Sequence, residues 1–228
     1  MFELKFIYQN FDAVLCLNGQ FFNELEIFKS EVQFIIAADG AANELIMNDI
    51  NPDVIIGDLD SFNNKNHQIY ENFNMKDKAP CFIKIDEQDT NDFEKCLKWI
   101  IQQKLKNILI IGFQGGLLEH SVNNLSVLIK YMDKLNMTIL ENNRYSIPVS
   151  KSIKTILTSE EIISIIPIND ANLFTKGLRW NLNNESLTIG IREGARNITE
   201  MEEIEIILNS GKYLLFINSR YPLMPLIE

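Results

Sequence analysis

The first 140 residues of this 228-residue chain alternate short apolar segments with segments of helical periodicity. Apolar positions such as Phe93, Cys96 and Ile100 recur at the spacing that places them on one face of a helix. The apolar runs between such helices have strand length, and several end in acidic or glycine-containing turns. This alternation predicts a parallel sheet covered by helices. The predicted strands are residues 13–17, 34–38, 54–56, 81–85 and 108–111, and the predicted helices are residues 41–47, 93–104 and 122–135.

After about residue 142 the pattern changes to short apolar segments separated by polar or glycine-containing turns. No long helical stripe intervenes, so this half is predicted to form a small antiparallel sandwich or barrel. Residues 142–150 are the predicted boundary, which divides the chain into an α/β domain of residues 1–142 and a β domain of residues 143–228. The predicted strands of the second domain are residues 155–157, 162–168, 173–174, 187–189, 204–208 and 214–217.

The charge of the chain limits its partners. Its 21 Lys and Arg residues against 31 Asp and Glu residues give a net charge of −10, and its 46% hydrophobic content is ordinary for a globular protein. Nucleic acids and anionic membranes bind basic surfaces, so we predict that the chain binds neither. A phosphorylated substrate is still compatible with this charge, because a divalent cation can bridge two anions.

The cysteines and the N-terminus bear on the compartment. Cys16, Cys81 and Cys96 are an odd number without a Cys-x-x-Cys pair, which is typical of reduced, buried thiols. The chain begins without a basic segment followed by an apolar run of signal-peptide length, and its apolar runs are too short to span a bilayer. We therefore expect a soluble, cytoplasmic protein.

Two acids follow the third predicted strand, in the sequence Gly57-Asp58-Leu59-Asp60-Ser61. In an extended segment the side chains at positions i and i+2 share one face, so both carboxylates can address one point. Two such oxygen ligands together with phosphate oxygens suit Mg²⁺. The alternative is a solvated turn in which Asp58 only caps a helix.

A second acidic cluster, residues 86–92, follows the next predicted strand and precedes a helix. Its four carboxylates repel one another, and a metal ion would relieve that repulsion. In the alternative interpretation Asn91 is the N-cap of the helix, Glu94 completes a capping box, and the acids complement the helix dipole.

A glycine-rich segment, residues 112–120, lies between a predicted strand and a helix. Glycines here allow the backbone to approach a phosphate or nucleotide, and a helix N-terminus favours an anion. The segment is not a Walker A loop, because it lacks a Gly-Lys-Ser/Thr ending. His120 is by residue type more often a packing residue than a catalyst.

In order along the chain, four segments resemble motifs of the thiamine pyrophosphokinase family. They are Ala-Asp-Gly-Ala-Ala-Asn at residues 38–43, Pro-Asp-Val-Ile-Ile-Gly-Asp-Leu-Asp-Ser at residues 52–61, Glu-Gln-Asp-Thr-Asn-Asp-Phe at residues 87–93, and Thr-Lys-Gly-Leu-Arg-Trp-Asn-Leu at residues 175–182. The resemblance covers nearly the whole chain, from about residue 18 to residue 197. It implies a Rossmann-like α/β domain followed by a β-sandwich domain that binds thiamine and dimerises.

The resemblance also implies a reaction and its residues. The family transfers the terminal diphosphate of ATP to the hydroxyl group of thiamine and releases AMP. By position, Asp58, Asp60 and Asp92 would be the catalytic residues and would hold Mg²⁺, and Asp60 or Asp92 would accept the proton of the hydroxyl group. The family works as a homodimer. The residues implied to bind nucleotide or substrate are Asp39, Asn43, Gln88, Asn91, Glu119, His120, Trp180 and Asn197.

The chain departs from the family motifs in two places. Leu117 and Glu119 stand where the family has an arginine that contacts nucleotide or phosphate and an aspartate. Gly194 and Arg196 stand where the family has two serines, and Arg196 would bring a cation close to cationic thiamine. These departures keep two alternatives open, namely another heterocyclic alcohol such as a pterin as the acceptor, or a non-catalytic nucleotide- or thiamine-binding homologue. Trp180 by residue type alone is more often a core or interface aromatic than a ligand contact.

Overall fold

The computed structural model describes residues 1–8, 11–21, 27–28, 34–61 and 80–228. The chain forms two compact units, an α/β unit within Phe11–Leu135 and a β unit that combines the N-terminal strand β1 (Phe2–Tyr8) with Asn136–Glu228. Within the described parts of the chain, no helix combines the length and apolar character that crossing a membrane requires.

The described strands of the α/β unit form a parallel sheet with helices between them, as the sequence pattern predicted. The elements are β2 (Ala13–Cys16), β3 (Ile35–Ala38), α1 (Ala41–Met47), β4 (Val54–Gly57), β5 (Cys81–Lys84), α2 (Asp92–Gln102), β6 (Asn107–Ile111) and α3 (Leu118–Tyr131). The spatial order of the strands is β5-β4-β3-β2-β6. The chain therefore runs outward from β2 to β5 and then places β6 on the other side of β2. Ligands of open α/β sheets bind at the carboxyl ends of the strands beside such a reversal.

Burial explains why these strands were recognisable in the sequence. Every residue of β2 and β4 is buried, as in strands that are covered on both faces. The helix α3 begins and ends about four residues earlier than predicted. Its first residue, Leu118, is 77% exposed, whereas Met132 and Leu135 are buried although they lie beyond the helix end. The apolar pattern therefore continued past the last helical turn.

The N-cap of α2 agrees with half of the predicted capping box. The Asn91 side chain accepts a hydrogen bond of 2.9 Å from the backbone N–H of Glu94. The reciprocal half is wrong, because the buried Glu94 carboxylate instead accepts hydrogen bonds from Lys130 Nζ and from the Tyr131 hydroxyl. These bonds join α2 to α3, and the cation keeps the pKa of Glu94 below its usual value against the opposing effect of burial.

The β unit is built mainly from antiparallel strands, as predicted for this half. Besides β1, its strands are β7 (Asn136–Glu141), β8 (Arg144–Val149), β9 (Ile153–Ile156), β10 (Ile162–Lys176), β11 (Asn183–Thr188), β12 (Gly194–Ile198), β13 (Glu203–Asn218) and β14 (Leu223–Ile227). Neighbouring strands pair in the order β14-β1-β9-β13-β8-β7, and β10 pairs with β11, β12 and β13. The pair formed by β1 and β9 is parallel.

The strand predictions for this unit need correction in two places. Residues 162–168 and 173–174 belong to one strand, β10, and residues 204–208 and 214–217 belong to β13. The sequence pattern predicts turns at the polar residues between these runs. The register between the two strands shifts there, so the polar residues form irregularities within a continuous pairing.

The compact units also differ from the predicted division of residues 1–142 and 143–228. The predicted boundary at residues 142–150 contains β8, whose residues alternate between buried and partly exposed, as is typical of a strand with one face in a core. At the other end, β1 pairs with β14 and β9 and so belongs to the β unit. The roles assigned to the two domains remain predictions.

Candidate active site

Acidic side chains follow two neighbouring strands of the α/β unit at their carboxyl ends. Asp39 directly follows β3, and Asp58 and Asp60 follow β4. The two strands pair in parallel, so both acidic turns leave the same edge of the sheet. One carboxylate oxygen of each aspartate lies within 4.8 Å of the other two. We call these three residues the aspartate group.

Asp39 is the buried member of the aspartate group. It is 2% exposed, and its Oδ2 accepts a hydrogen bond of 3.2 Å from the backbone N–H of Ser61. Its Oδ1 is buried and has no hydrogen-bond partner among the residues that the structure describes. Burial raises the pKa of Asp39, and the charges of Asp92 and Asp58 raise it further. An ionised carboxylate in this position is therefore short of a positive partner.

Asp58 is held by hydrogen bonds from two directions. Gln88 Nε2 donates to Asp58 Oδ2 over 3.1 Å, and the backbone N–H of Asp60 donates to Asp58 Oδ1 over 3.3 Å. The hydrogen bond from Gln88 is the main cause that lowers the pKa of Asp58. Gln88, which the family resemblance assigns to nucleotide or substrate binding, thus contacts an acid of the aspartate group. Asp60 is exposed and accepts a hydrogen bond of 3.0 Å from the Ser61 hydroxyl.

Asp92, at the start of α2, does not join the aspartate group. Its Oδ1 accepts a hydrogen bond of 3.1 Å from Lys95 Nζ, and Lys95 is only 3% exposed. Burial raises the pKa of Asp92, Lys95 opposes this, and Asp58 and Asp60 raise it again. The carboxylate of Asp92 therefore lies close enough to the aspartate group to interact with its charges. Lys95 is a buried cation that balances part of the combined negative charge.

Gly57, the last residue of β4, packs directly against Asp39 and Asp92. A Cβ atom at this position would lie 2.6 Å from Asp39 Cβ and 3.3 Å from Asp92 Oδ1. Contacts of 2.6 Å between such atoms do not occur, so any side chain here would displace Asp39. The absence of a side chain at position 57 is what allows the acids to approach one another.

Gly57→Ala is accordingly expected to lower turnover about tenfold or more. The added methyl group would push Asp39 away from Asp58 and Asp60, and overpacking of this kind destabilises a protein by about 1–3 kcal/mol. The measurement is kcat together with the melting temperature, so that loss of geometry is separated from loss of folded protein. A variant with unchanged kcat would contradict the close packing of the acids around Gly57.

A cleft of about 400 Å³ lies beside these acids in the α/β unit. It is formed by the end of β3, by the segments after β2, β4 and β6, and by the beginnings of α2 and α3. The strand-order reversal described above, between β2 and β6, therefore lies at this cleft. Among its described lining residues none is Lys or Arg, so the cleft offers glycine-rich backbone and amide groups. Its lining includes Asn18, Gly19, Ser61, Asn91, Asp92, Phe113, Gly116, Leu117, His120 and Asn124.

The glycine-rich segment after β6 forms one wall of this cleft. The backbone N–H of Gln20 donates to the carbonyl of Gln114 over 2.8 Å, so the turns after β2 and β6 pack backbone against backbone. Asn124 Nδ2 donates to the carbonyl of Phe113 over 2.9 Å, which fastens the segment to α3. Leu117 is 59% exposed at the rim, where the resembling family has a cation.

The remaining predicted residues of the α/β unit divide between the cleft and its surroundings. Asn91 and His120 line the cleft, and Asn43 Nδ2 donates to the carbonyl of Ser61 over 2.8 Å. Asn43 therefore supports the turn that carries Asp60. Glu119 is exposed and is not among the described lining residues.

Trp180 and Asn197 lie together in the β unit, beside a separate pocket of about 210 Å³. Asn197 Nδ2 donates to the carbonyl of Trp180 over 2.8 Å, and the backbone N–H of Trp180 donates to Asn197 Oδ1 over 3.2 Å. The amide of Asn197 thus fixes the backbone that carries the indole ring. Trp180 is 60% exposed, which disagrees with a core role and leaves its ring available.

The structure explains the departure at Gly194. A Cβ atom there would lie 2.8 Å from the carbonyl oxygen of Ile165 and 3.1 Å from Leu187 Cδ1. This chain therefore has no room for a serine at position 194. Arg196 is exposed and is not among the described residues that line the pocket.

Sequence reasoning missed part of this site. The family resemblance implies a substrate-binding role for Asp39 and does not place it with Asp58 and Asp60. The signal that could have identified it is its position directly after a buried strand, like that of Asp58. Asn18 and Gly19 follow β2 in the same way and line the cleft. Lys95 lies on an amphipathic helix, and its burial against Asp92 has no local signal.

The aspartate group fits a small divalent cation. Three carboxylates offer the hard oxygen ligands that Mg²⁺ prefers, and substrate phosphate and water would complete its coordination. The buried Asp39 Oδ1 without a described hydrogen-bond partner is an independent observation in favour of a cation here. Like charges at this separation would otherwise repel one another.

Two protein-family models match this chain. The thiamin pyrophosphokinase catalytic domain matches residues 25–140, and the thiamin pyrophosphokinase vitamin B1 binding domain matches residues 144–213. Among similar curated proteins, thiamine pyrophosphokinase 1 of Oryza sativa subsp. japonica is 26% identical over 87% of this chain and 84% of its own length. Thiamin pyrophosphokinase 1 of Caenorhabditis elegans is 26% identical over 88% of this chain and 86% of its own length.

Solved structures share the fold. Thiamine pyrophosphokinase from Bacillus subtilis superposes with a TM-score of 0.76 at 19% identity, over 92% of this chain and 100% of that chain. Yeast thiamin pyrophosphokinase superposes with a TM-score of 0.75 at 18% identity, over 96% of this chain and 89% of that one. The fold and the site define an α/β protein with carboxylates and a glycine-rich cleft at the carboxyl edge of its sheet, together with a β-sheet unit. Because the two family models together span most of its length, the chain belongs to the thiamin pyrophosphokinase family.

Proposed function

We propose that this chain is a thiamine diphosphokinase, which transfers the terminal diphosphate of ATP to the hydroxyl group of thiamine and releases AMP. The observation that carries the proposal is the aspartate group beside a glycine-rich cleft, in a chain that belongs to the thiamin pyrophosphokinase family. Phosphoryl-type transfer depends mostly on positioning and on neutralising charge, and this arrangement supplies groups for both.

The proposed cofactor is Mg²⁺. Asp39, Asp58 and Asp60 would hold it, and Asp92 is a further ligand by resemblance to the family. When bound, the ion would neutralise negative charge on the phosphate oxygens. The cleft that we propose for ATP has no Lys or Arg among its described lining residues, so this neutralisation matters more here than in a cleft lined by cations.

The chain's own residues would orient the reactants. In the proposed step the thiamine hydroxyl oxygen forms a bond to the β-phosphorus, the bond from that phosphorus to the AMP oxygen breaks, and the hydroxyl proton passes to a carboxylate. Asp92 is better placed to accept it than Asp60, because Asp92 lines the cleft whereas Asp60 is not among the described lining residues. Asn91 and His120 would contact the nucleotide from the same cleft.

The pocket beside Trp180 is the proposed site for the aromatic part of thiamine. Its floor is apolar, and the Trp180 ring lies at its rim. Arg196 is not among the described residues that line this pocket, so a substrate bound there would not meet its charge. With thiamine in this pocket, the predicted conflict between Arg196 and a cationic acceptor would not arise.

Two further features of the enzyme stay proposals. A homodimer is implied by the family resemblance, and a cytoplasmic location is consistent with the predicted reduced state of the three cysteines. Of these, Cys16 and Cys96 are buried and Cys81 is exposed, and all three are free thiols.

The experiment that tests the function is product analysis after incubation with ATP, thiamine and Mg²⁺. We expect AMP and thiamine diphosphate in equal amounts, with none of either when the metal is chelated. Formation of ADP would indicate transfer of a single phosphoryl group. Absence of AMP across a series of divalent metals would contradict the proposal.

A further inference from the structure

The pocket of the β unit has an apolar floor and a polar rim. Ile165, Leu178 and Leu187 are each no more than 2% exposed, whereas Trp180 at the rim is 60% exposed. A volume of about 210 Å³ with this lining suits a flat aromatic ring better than a flexible polar chain. The shape alone does not distinguish a neutral ring from a charged one.

The charged side chains at the rim of the pocket favour a positively charged ring over a neutral one. Arg192 and Glu193 are the two charged side chains among the described lining residues. The Arg192 guanidinium forms an ion pair with Glu185, so its charge is compensated within the unit. Glu193 has no Lys or Arg partner within ion-pair distance in the described chain. The pocket therefore presents one uncompensated negative charge.

The turn between β11 and β12 holds that charge in place. The backbone groups of Thr188 and Arg192 exchange two hydrogen bonds of 2.9 Å, which closes the turn. Within the turn, the backbone N–H of Gly190 donates to Glu193 Oε1 over 2.7 Å. One carboxylate oxygen is thus fixed by the backbone, and the side chain is positioned before a ligand arrives.

We propose that Glu193 is a specificity-determining residue that makes this pocket select a positively charged aromatic acceptor. The inference rests on the proposed function, because thiamine carries its positive charge on an aromatic thiazolium ring. The Trp180 ring contributes to the same preference, since aromatic faces attract cations. The centroid of this ring lies 5.9 Å from the guanidinium carbon of Arg179, whose charge is paired with Glu160 and Glu200.

Arg196, three residues after Glu193, does not bring its charge into the pocket. Arg196 has a left-handed backbone conformation, with φ of 57°, and its backbone N–H donates to the Ser164 hydroxyl over 2.9 Å. Its side chain does not line the pocket in the described chain, whereas Glu193 does. The acid rather than the arginine is therefore the charge that a ring in this pocket would meet.

The test compares thiamine with an uncharged isostere in which a neutral five-membered aromatic ring replaces the thiazolium. AMP formation gives KM and kcat for thiamine, and inhibition of the same reaction gives the inhibition constant of the isostere. Glu193→Gln keeps the size of the side chain and removes its charge. We expect KM for thiamine to rise about three- to fivefold, the upper part of the range for an exposed ion pair, with kcat and the inhibition constant of the isostere within about twofold.

Glu202→Gln is the matched control, because Glu202 is exposed in the same unit and is not among the described lining residues. It should leave all three constants unchanged. If Glu193→Gln changes the constants for thiamine and the isostere equally, or changes neither, the role of Glu193 is wrong while the proposed function stands. If the wild-type chain forms no AMP with thiamine, both proposals fail.

Discussion

Asp58→Asn is expected to lower kcat by at least about a hundredfold and to leave the fold intact. Asparagine has the same size and still offers one oxygen to its neighbours, but it removes a negative charge from the aspartate group. Metal-ion stabilisation of transition-state charge contributes several kcal/mol, and each 1.4 kcal/mol corresponds to a factor of about ten in rate. The measurement is AMP release at saturating ATP, thiamine and Mg²⁺.

The control for this variant is Asp86→Asn. Asp86 is an exposed acid that follows β5 at the same edge of the sheet, where it pairs with Lys84 over 2.8 Å and does not belong to the aspartate group. We expect its kcat to remain within about twofold of the wild type. A near-normal kcat for Asp58→Asn, with the metal dependence retained, would show that the metal is held elsewhere.

Asp39→Asn is expected to change activity and stability in opposite directions. Turnover should fall about a hundredfold or more, because the variant loses the buried member of the aspartate group. The metal-free protein should become more stable by about 1 kcal/mol, since an uncharged amide is less costly to bury than an unpaired carboxylate. The sign follows from the pKa, because a folded-state pKa raised by burial means that the ionised Asp39 destabilises the folded protein at neutral pH.

The measurement is thermal unfolding of both proteins with a chelator and with excess Mg²⁺. Without metal the variant should melt about 2–4 °C higher than the wild type, as expected for a chain of this length. With Mg²⁺ the wild type should gain stability by mass action and the variant should gain little. A variant that is less stable without metal and equally stabilised by Mg²⁺ would contradict the role of Asp39.

The α/β unit was predictable because four of its described strands, β2, β3, β4 and β6, are almost entirely buried. Such strands are continuous apolar runs, and the acids and glycines at their ends mark where they stop. The β unit was harder to predict from local pattern. Strand β1 pairs with β14, as in Leu4 opposite Ile227, and no local signal indicates a pairing over that separation in sequence. The polar irregularities inside β10 and β13 have the same residue types as turns.

The site shows the same division between local and long-range information. Asp58 and Asp60 are two residues apart, so their common direction follows from strand geometry. The addition of Asp39 depends on the pairing of β3 with β4, and the burial of Lys95 against Asp92 depends on helix packing. No sequence pattern predicts the role proposed for Glu193, because that role depends on the ion pair that compensates the charge of Arg192.

The most direct test of the metal site is anomalous diffraction from crystals of this chain soaked with Mn²⁺ and AMP. Mn²⁺ prefers the same oxygen ligands as Mg²⁺ and can be located by its anomalous signal. We predict a peak within coordination distance of carboxylate oxygens of Asp39, Asp58 and Asp60. A peak at another position, or no peak at this group in crystals of enzyme that is active with Mn²⁺, would contradict the account.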